Sequence, residues 1–250
     1  MPNERLRDAL HKQGLTPTEL AARVKVDPKT AERWVTQGRA PYPKYRSAIA
    51  AALRESESYL WPDAYSDERR NEASQSEVAH IYPRRGALPP ELWQRLLDGA
   101  TRQIGILAYA GLFLPEQHPR WVPTMRAKAE AGVQIEILLG DPDGSQIAER
   151  GEDEGIGDAM AGKVRNVLAF YRELRDLENV AIYFHNTTLY NSIYRFDDDM
   201  LVNTHLYGTP AAYAPVMHLR RIAGGELFDN YTASFNRVLS KSRVVWPEAW

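Results

Sequence analysis

The side chains best suited to chemistry are concentrated in the last third of the chain. Three histidines, His185, His205 and His218, fall within 34 residues. Between them, the run LYNSIYRFDDD has the aromatic and β-branched character of a strand and ends in three aspartates. Histidine and aspartate are common general acids and bases, and serine and tyrosine hydroxyls can bind ligands through hydrogen bonds. The run therefore predicts a reactive site or a polar pocket.

The alternation of a strand decides which of these side chains share a face. Tyr190, Ser192 and Tyr194 are expected to point one way and Asn191, Ile193 and Arg195 the other, because successive residues of a strand face opposite sides. Strand ends within one sheet could bring several polar groups into a pocket for a small ligand. The candidate ligand-binding residues are His185, Tyr190, Ser192, Arg195, Asp197, Asn203, His205 and His218.

A plainer interpretation of the same residues remains open. Asn203 and His205 could satisfy buried backbone groups, and Asp197 to Asp199 could form a solvated turn. The sequence has no cysteine and no close-spaced set of metal ligands, so we expect no metal site. The stretch GDPDGSQIAERGEDEG (140–155) lacks the residue order of a calcium loop, and we interpret it as an exposed acidic loop. Neither a phosphate-binding glycine loop nor a serine-hydrolase elbow is present, and no cofactor is expected.

The elements that must position these groups are strands alternating with helices. From residue 77 onward, buried strands such as RQIGILAYA and VQIEILLGD are separated by amphipathic helices, including one predicted over IGDAMAGKVRNVLAFYRELRDL. This order predicts an α/β domain with a mixed or mainly parallel sheet covered by helices.

The first sixty residues follow a different pattern, that of short helices with clear starts. Thr16 and Glu19 form a T-x-x-E capping box around Pro17, and Asp27 is expected to cap the next helix. Residues 62–76 are polar and without apolar periodicity. We therefore predict an all-α domain over 1–62, a linker over 63–76 and the α/β domain over 77–250. The alternative is that the polar stretch is a solvated loop within one domain.

Charge is distributed unevenly along the chain. Residues 1–60 carry 11 Lys and Arg against 7 Asp and Glu, a net charge of +4, whereas the remaining residues carry 20 against 26, a net charge of −6. A basic N-terminal segment on an acidic body indicates that the first segment is the part that meets a polyanion.

Two closely spaced capped helices within the first segment predict a helix-turn-helix. The second helix of such a unit lies in the major groove of DNA, where its first turns meet the base edges. Within DPKTAERWV, Ala31, Trp34 and Val35 are expected to face inward. The candidate DNA-binding residues are Thr18, Lys29, Thr30, Glu32, Arg33, Gln37 and Arg39. The alternative is a small helical bundle whose lysines and arginines are merely exposed.

The stretch LTPTELAARVKVDPKTAERWVTQGRAP resembles the helix-turn-helix of xenobiotic-response-element (Cro/repressor-like) regulators. The following YRSAIAAALRESESYLWP is similar to the version common in actinobacterial regulators. The resemblance covers about residues 3–62 and implies sequence-specific binding of double-stranded DNA.

The spacing Tyr190-x-Ser192-x-x-x-x-Asp197 resembles the H-x-K-x-x-x-x-D register of the phospholipase-D superfamily. Active members use the His as nucleophile and the Lys to bind phosphate, and here only Asp197 matches the motif. The Gly-Ser pair that follows in the family falls on Thr204 and His205. A tyrosine hydroxyl without an activating base is a poor nucleophile, so the resemblance implies a catalytically degenerate phospholipase-D-like domain and not an enzyme.

Together these patterns predict a homodimeric, DNA-binding transcriptional regulator whose second domain senses a small ligand. We expect it to be cytoplasmic and nucleoid-associated and to have no membrane partner, because apolar runs such as IGILAYAGLFL are too short to cross a bilayer. Two alternatives remain open: a divergent phosphodiesterase or nuclease carried to DNA by its head, and a regulator whose second domain only dimerises.

Overall fold

The computed structural model of the protein describes residues 2–61, residue 64 and residues 67–246, with the backbone alone for 67–71. The chain forms two compact units, one comprising residues 1–77 and 221–233 and the other residues 78–220 and 234–250. The predicted limits of the linker, 63 and 76, stay predictions, because residues 62, 63, 65 and 66 lie outside the described part of the chain.

Within residues 2–61, the first unit consists of helices joined by short connections and contains no strand. Its helices are α1 (Glu4–Lys12), α2 (Pro17–Val24), α3 (Pro28–Thr36), α4 (Pro43–Leu53) and α5 (Glu57–Leu60). Their apolar faces meet in one core, because each helix carries buried residues at helical spacing. That core contains Leu6, Ala9, Leu10, Leu20, Ala21, Ala31, Trp34, Val35, Ile49, Ala50, Leu53, Leu60 and Trp61.

The predicted helix starts are confirmed by their capping hydrogen bonds. The Glu19 amide donates to Thr16 Oγ1 at 3.2 Å, and the Thr16 amide donates to Glu19 Oε2 at 2.7 Å, which completes the capping box. At α3, Asp27 accepts from the Lys29 amide at 2.9 Å. Between α2 and α3 the chain turns at Lys25, whose φ of 56° is left-handed. The local sequence thus determines where both helices begin.

A further helix, α6 (Asp67–Glu77), occupies most of the segment predicted as a linker. Its last residue, Glu77, is fully buried and accepts hydrogen bonds from the amides of Leu227 and Phe228 at 2.7 and 3.3 Å. These amides begin α12 (Leu227–Leu239). The Glu77 carboxylate therefore satisfies the free N–H groups of α12, and it leaves no room for a Cβ atom at Gly225.

The second unit is built on a mixed eight-stranded sheet within the described residues. Its strands are β1 (Val78–Tyr82), β2 (Gln103–Ala108), β3 (Gln134–Gly140), β4 (Val180–His185), β5 (Asn191–Phe196), β6 (Asp199–Thr204), β7 (Val216–Arg220) and β8 (Arg243–Trp246). The order is β1-β7-β6-β5-β2-β3-β4-β8. Strands β2, β3 and β4 are parallel, and every other pairing is antiparallel. The predicted α/β class with a mixed sheet is confirmed.

The helices of this unit are α7 (Pro90–Gly99), α8 (Phe113–Gln117), α9 (Trp121–Glu130), α10 (Ser145–Asp153) and α11 (Ala159–Tyr171). The long helix predicted before β4 is shorter than expected, because a 3₁₀ turn at Arg172–Leu174 replaces its last part. Among the described helices, none is both long enough and apolar enough to cross a membrane.

One sequence-based interpretation is wrong at α10. The acidic stretch 140–155 was expected to be an exposed loop, but residues 145–153 form a helix that buries Ile147, Arg150 and Gly151. Ile147 and Arg150 lie three positions apart and therefore share one side of the helix. This side can be buried although the stretch as a whole is acidic. Arg150 is buried together with an ion-pair partner four residues later, Glu154.

Burial raises the pKa of the Glu77 carboxyl group from the ordinary 4.5 to about 7, although the amides of Leu227 and Phe228 oppose the rise. Because the folded-state pKa exceeds the unfolded one, the stabilising contribution of this group is present below about pH 4.5 and is lost as the pH rises through about 7. In Glu77→Gln, the free energy of unfolding should fall less between pH 5 and pH 8 than in the wild type, by roughly 1 to 3 kcal/mol. Urea unfolding at both pH values measures this difference, and identical pH dependences would show that Glu77 does not titrate there.

Candidate functional site

A cavity of about 200 Å³ opens in the second unit at the carboxyl end of β2. Residues 108–113, which comprise the last residue of β2 and the five that follow it, form one wall, and the start of β5 forms another. Strand β2 has β3 on one side and β5 on the other, so the sheet order changes direction at this point. Open α/β sheets bind ligands at such a switch point, outside the carboxyl ends of their strands. The remaining lining comes from Arg85, Glu116, Arg150, Glu154, Met160, Lys163, His205, Pro210, Ala211 and Ala212.

Two of the predicted ligand-binding residues meet in this cavity. Ser192 Oγ and His205 Nε2 lie 3.0 Å apart, and His205 Nδ1 lies 3.0 Å from the backbone carbonyl oxygen of Leu189. A carbonyl can only accept, so Nδ1 carries the proton and Nε2 accepts from the serine hydroxyl. The tautomer and orientation of His205 are therefore fixed by its two neighbours.

His205 is also held in its neutral form. Burial, together with the positive charges of Arg150 and Arg85, lowers the pKa of its imidazole to about 4, although the hydrogen bond to Leu189 opposes the change. The ring stacks on Tyr109 with 5.5 Å between ring centroids. The Tyr109 hydroxyl accepts from the Leu189 amide at 2.9 Å, so the same segment supports both rings. At neutral pH, His205 therefore contributes no positive charge to the cavity.

The two arginines of the cavity differ in how their charge is balanced. Arg150 is buried, lies 2.6 Å from Glu154 Oε1 and donates to the carbonyl of Thr209 at 3.0 Å. Arg85 is half-buried, and its guanidinium carbon lies 3.7 Å from the centroid of the Phe113 ring. Among the residues whose side chains are described, no carboxylate lies within ion-pair distance of Arg85. Arg85 is thus a half-buried cation with no carboxylate partner among those side chains.

Tyr194 connects the sheet to the cavity. It shares a strand face with Ser192, as the alternation predicts, and both residues line the cavity. Its ring packs edge-on against Trp93 and Phe113, with centroid distances of 5.0 and 5.9 Å. Burial raises the pKa of its hydroxyl, while Arg85 and Ser192 oppose the rise. The Tyr194 hydroxyl therefore stays protonated beside Ser192 and Arg85.

Four other predicted ligand-binding residues lie outside the cavity lining. The side chain of Tyr190 is 81% exposed. The ring of His185 is buried beside Tyr109, and its Nε2 lies 3.3 Å from the carbonyl oxygen of Ala108. Burial lowers the pKa of His185 to about 4. Arg195 donates to the backbone of Asp197, and the fully buried Asn203 donates to the carbonyls of Ala214 and Pro215. Asn203 therefore fits the plainer interpretation of its amide as a partner for buried backbone groups.

The last two predicted residues, Asp197 and His218, lie at other points of the sheet. The Asp197 carboxylate accepts from the amides of Thr101, Arg102 and Gln103 at 2.8 to 2.9 Å, and its φ is 52°. Burial alone would raise the pKa of this carboxyl group, but the donated hydrogen bonds outweigh it and hold the pKa below its ordinary value. Asp197 is therefore an anchor for the backbone and not a cavity residue.

The turn of the plainer interpretation is present at Asp197 and Asp198, and the aspartates that follow Asp197 are paired as well. Asp198 pairs with Arg102, and Asp199 Oδ1 lies 2.7 Å from His218 Nε2 and 3.4 Å from Arg220 Nε. His218 is thus held by Asp199, away from the cavity lining.

In the first unit, the predicted DNA-binding residues lie on or near α3 and are accessible. Lys29, Glu32, Arg33, Gln37 and Arg39 are exposed, as is Thr18 on α2, and Thr30 is half-buried. The inward residues Ala31, Trp34 and Val35 are buried as predicted. The exposed side of α3 therefore carries Lys29 and Arg33, with Arg39 just beyond the helix.

The cavity residues missed by sequence analysis are Arg85, Tyr109 and Arg150. Each lies on an element remote in sequence from β5, and no local spacing connects them with Ser192. Of the three, only Tyr109 could have been predicted as a cavity residue. It directly follows a buried strand, and ligands bind at the strand ends of α/β sheets. No group of His, Asp or Glu within the described chain is arranged to hold a metal ion.

No protein-family model matches the sequence, and no curated protein is similar to it. Among solved structures, the chain is similar to TrmBL2, described as an archaeal chromatin protein with a novel mode of DNA binding. The TM-score is 0.43 with 13% identity, over 92% of this chain and 88% of that one. It is also similar to Nuc, a phospholipase D family member from Salmonella typhimurium, with a TM-score of 0.37 and 15% identity over 62% of this chain and 89% of that one. At such scores and identities, neither likeness assigns a function to this chain.

Replacing Asp197 by Asn should destabilise the fold by about 1 to 3 kcal/mol, because asparagine tolerates the left-handed backbone but removes the charge that three amides contact. The folded-state pKa of Asp197 is lowered, so its contribution is present above the ordinary value of 3.8 and is lost as the pH falls through the lower folded value. Urea unfolding at pH 7 measures the loss. Asp198→Asn, whose side chain is 47% exposed, is the matched control and should change stability by less than about 0.5 kcal/mol. Equal effects of the two variants would contradict the anchoring role.

Proposed function

We propose that the protein is a DNA-binding transcriptional regulator whose second unit binds a small ligand in the cavity beside Ser192 and His205. The DNA-binding part rests on α2 and α3 with their capped starts, the intervening turn at Lys25, and the exposed Lys29 and Arg33. A helix that presents basic side chains from its first turns can enter the major groove. The resemblance of residues 3–62 to Cro/repressor-like regulators supports the same assignment.

The observation that carries the ligand-binding part is the cavity itself. Its volume of about 200 Å³ is somewhat larger than the ~150 Å³ of an engineered apolar cavity that binds benzene. Polar side chains with fixed orientation, Ser192 and His205, meet an apolar wall that includes Phe113 and Met160. This combination of apolar lining and few oriented polar groups is that of small-molecule sites. The size supports a small ligand and not a polymer.

We further propose that the protein acts as a homodimer, which would place two heads on half-sites about one helical turn (~34 Å) apart. Strand β1 lies at the edge of the sheet and exposes Ile81, whose side chain is 60% accessible. An edge strand with an exposed apolar residue supports association with a second copy. In the simpler version of this proposal, the second unit only dimerises and binds no ligand.

Arg33→Ala should weaken discrimination between the preferred duplex and a scrambled one by about 1 to 3 kcal/mol, because Arg33 is placed to contact a base edge. A preferred duplex is first selected from a random pool, and fluorescence anisotropy then measures both affinities at two salt concentrations. The matched control is Arg7→Ala on α1, whose guanidinium pairs with Glu4. If the wild-type protein prefers no duplex over random sequence, the regulator proposal is lost.

A hydrolysis assay distinguishes the second candidate function, that of a divergent phosphodiesterase, from the proposed regulator. We expect no release of p-nitrophenol from bis(p-nitrophenyl) phosphate, because Tyr190 is exposed and the pKa of His205, about 4, makes it a weak base. Turnover that is lost in His205→Ala would instead favour the enzyme.

A further inference from the structure

The cavity combines a fixed set of hydrogen-bonding groups with one unbalanced charge. His205 Nδ1 donates to Leu189, and its Nε2 accepts from Ser192, so both nitrogens are committed. Arg150 is compensated by Glu154 at 2.6 Å, and it donates to Thr209 as well. The groups still free to bind a ligand are therefore chiefly donors, and the strongest is the Arg85 guanidinium.

The charges at the rim do not offset Arg85. Lys163 and Glu116 also line the cavity, but both are exposed, so solvent screens their charges. Arg85 lies deeper, with its guanidinium against the Phe113 ring and near the Tyr194 hydroxyl. Stacking on an aromatic ring leaves the edge N–H groups of a guanidinium available, and these match the two oxygens of a carboxylate or phosphate.

The arginine charges that act on His205 in the cavity are positive. Both Arg85 and Arg150 disfavour a positive charge on His205, although Glu154 lies beside Arg150. The repulsion by the two arginines favours an anion at the same point, whereas burial, the main cause of the lowered pKa, disfavours a charge of either sign. The acidic composition of residues 61–250 makes this local positive field a specific feature of the cavity.

Resting on the proposed ligand-binding function, we infer that the cavity takes a small organic anion, with its carboxylate or phosphate on Arg85 and its apolar part against Phe113, Met160 and Pro210. The Tyr194 hydroxyl lies beside Arg85 and can contact the anionic group. The size of the cavity limits the apolar part to about one aromatic ring or a short chain.

Isothermal titration calorimetry on the full chain tests this inference with isosteric probes. Benzoate and phenyl phosphate carry the charge, whereas benzamide has the shape of benzoate without the charge. We expect at least one of the two anions to bind about tenfold or more tightly than benzamide, the difference typical of a charge-assisted hydrogen bond. Comparing benzoate with phenyl phosphate shows whether the ligand class is carboxylate or phosphate.

Three variants locate the charge preference. Arg85→Gln should remove the difference between benzoate and benzamide, and Arg85→Lys should retain part of it, because a lysine keeps the charge without the planar fork. Arg84→Gln is the matched control, since Arg84 is the exposed neighbour and does not line the cavity. Thermal melting of each variant confirms that it is folded.

Equal affinity for benzoate, phenyl phosphate and benzamide would overturn the inference, as would binding of neither anion. Tighter binding of a neutral sugar such as glucose would also overturn it while leaving a ligand-binding cavity in place. Failure of the proposed DNA-binding function is visible separately, as a loss of duplex preference, and does not alter these titrations.

Discussion

The geometry of the candidate site depends on the Asp197 carboxylate. By accepting hydrogen bonds from three successive amides, those of Thr101, Arg102 and Gln103, it fixes the β5–β6 hairpin against the start of β2. In a sheet, a slip of one residue moves every side chain to the opposite face. The anchor therefore determines that Ser192, near the other end of β5, lies at the carboxyl end of β2, and that His205, after β6, is within hydrogen-bonding distance of it.

The parts of this arrangement that could be predicted from the sequence are those determined locally. Strand alternation placed Ser192 and Tyr194 on one face, and cap residues such as Thr16 and Asp27 marked where helices begin. The rest depends on contacts between distant segments. Arg150 lies in a stretch so acidic that it was interpreted as a loop, and it is buried only because Glu154 compensates it. Tyr190 was placed in the pocket by spacing alone, but the chain before β5 leaves it exposed.

We propose that the cavity serves binding and not bond cleavage. A nucleophile needs a base with a pKa near the working pH, and burial and two arginines push His205 far below that value. The same groups suit recognition, because the imidazole is neutral and the guanidinium of Arg85 defines where an acceptor must lie. Asp197 contacts backbone amides outside the cavity and Tyr190 is exposed, so neither supplies a reactive group to the cavity.

The central claim is that duplex DNA contacts the first unit while small ligands occupy the cavity of the second. Hydrogen–deuterium exchange of the full chain, measured alone, with the selected duplex and with benzoate, tests both assignments at once. The account predicts that the duplex slows exchange in α3, residues 28–36, and that benzoate slows it around residues 108–113 and 192–213. Slower exchange around Ser192 and His205 on adding duplex, with none in α3, would contradict the account and identify the cavity as a nucleic-acid site.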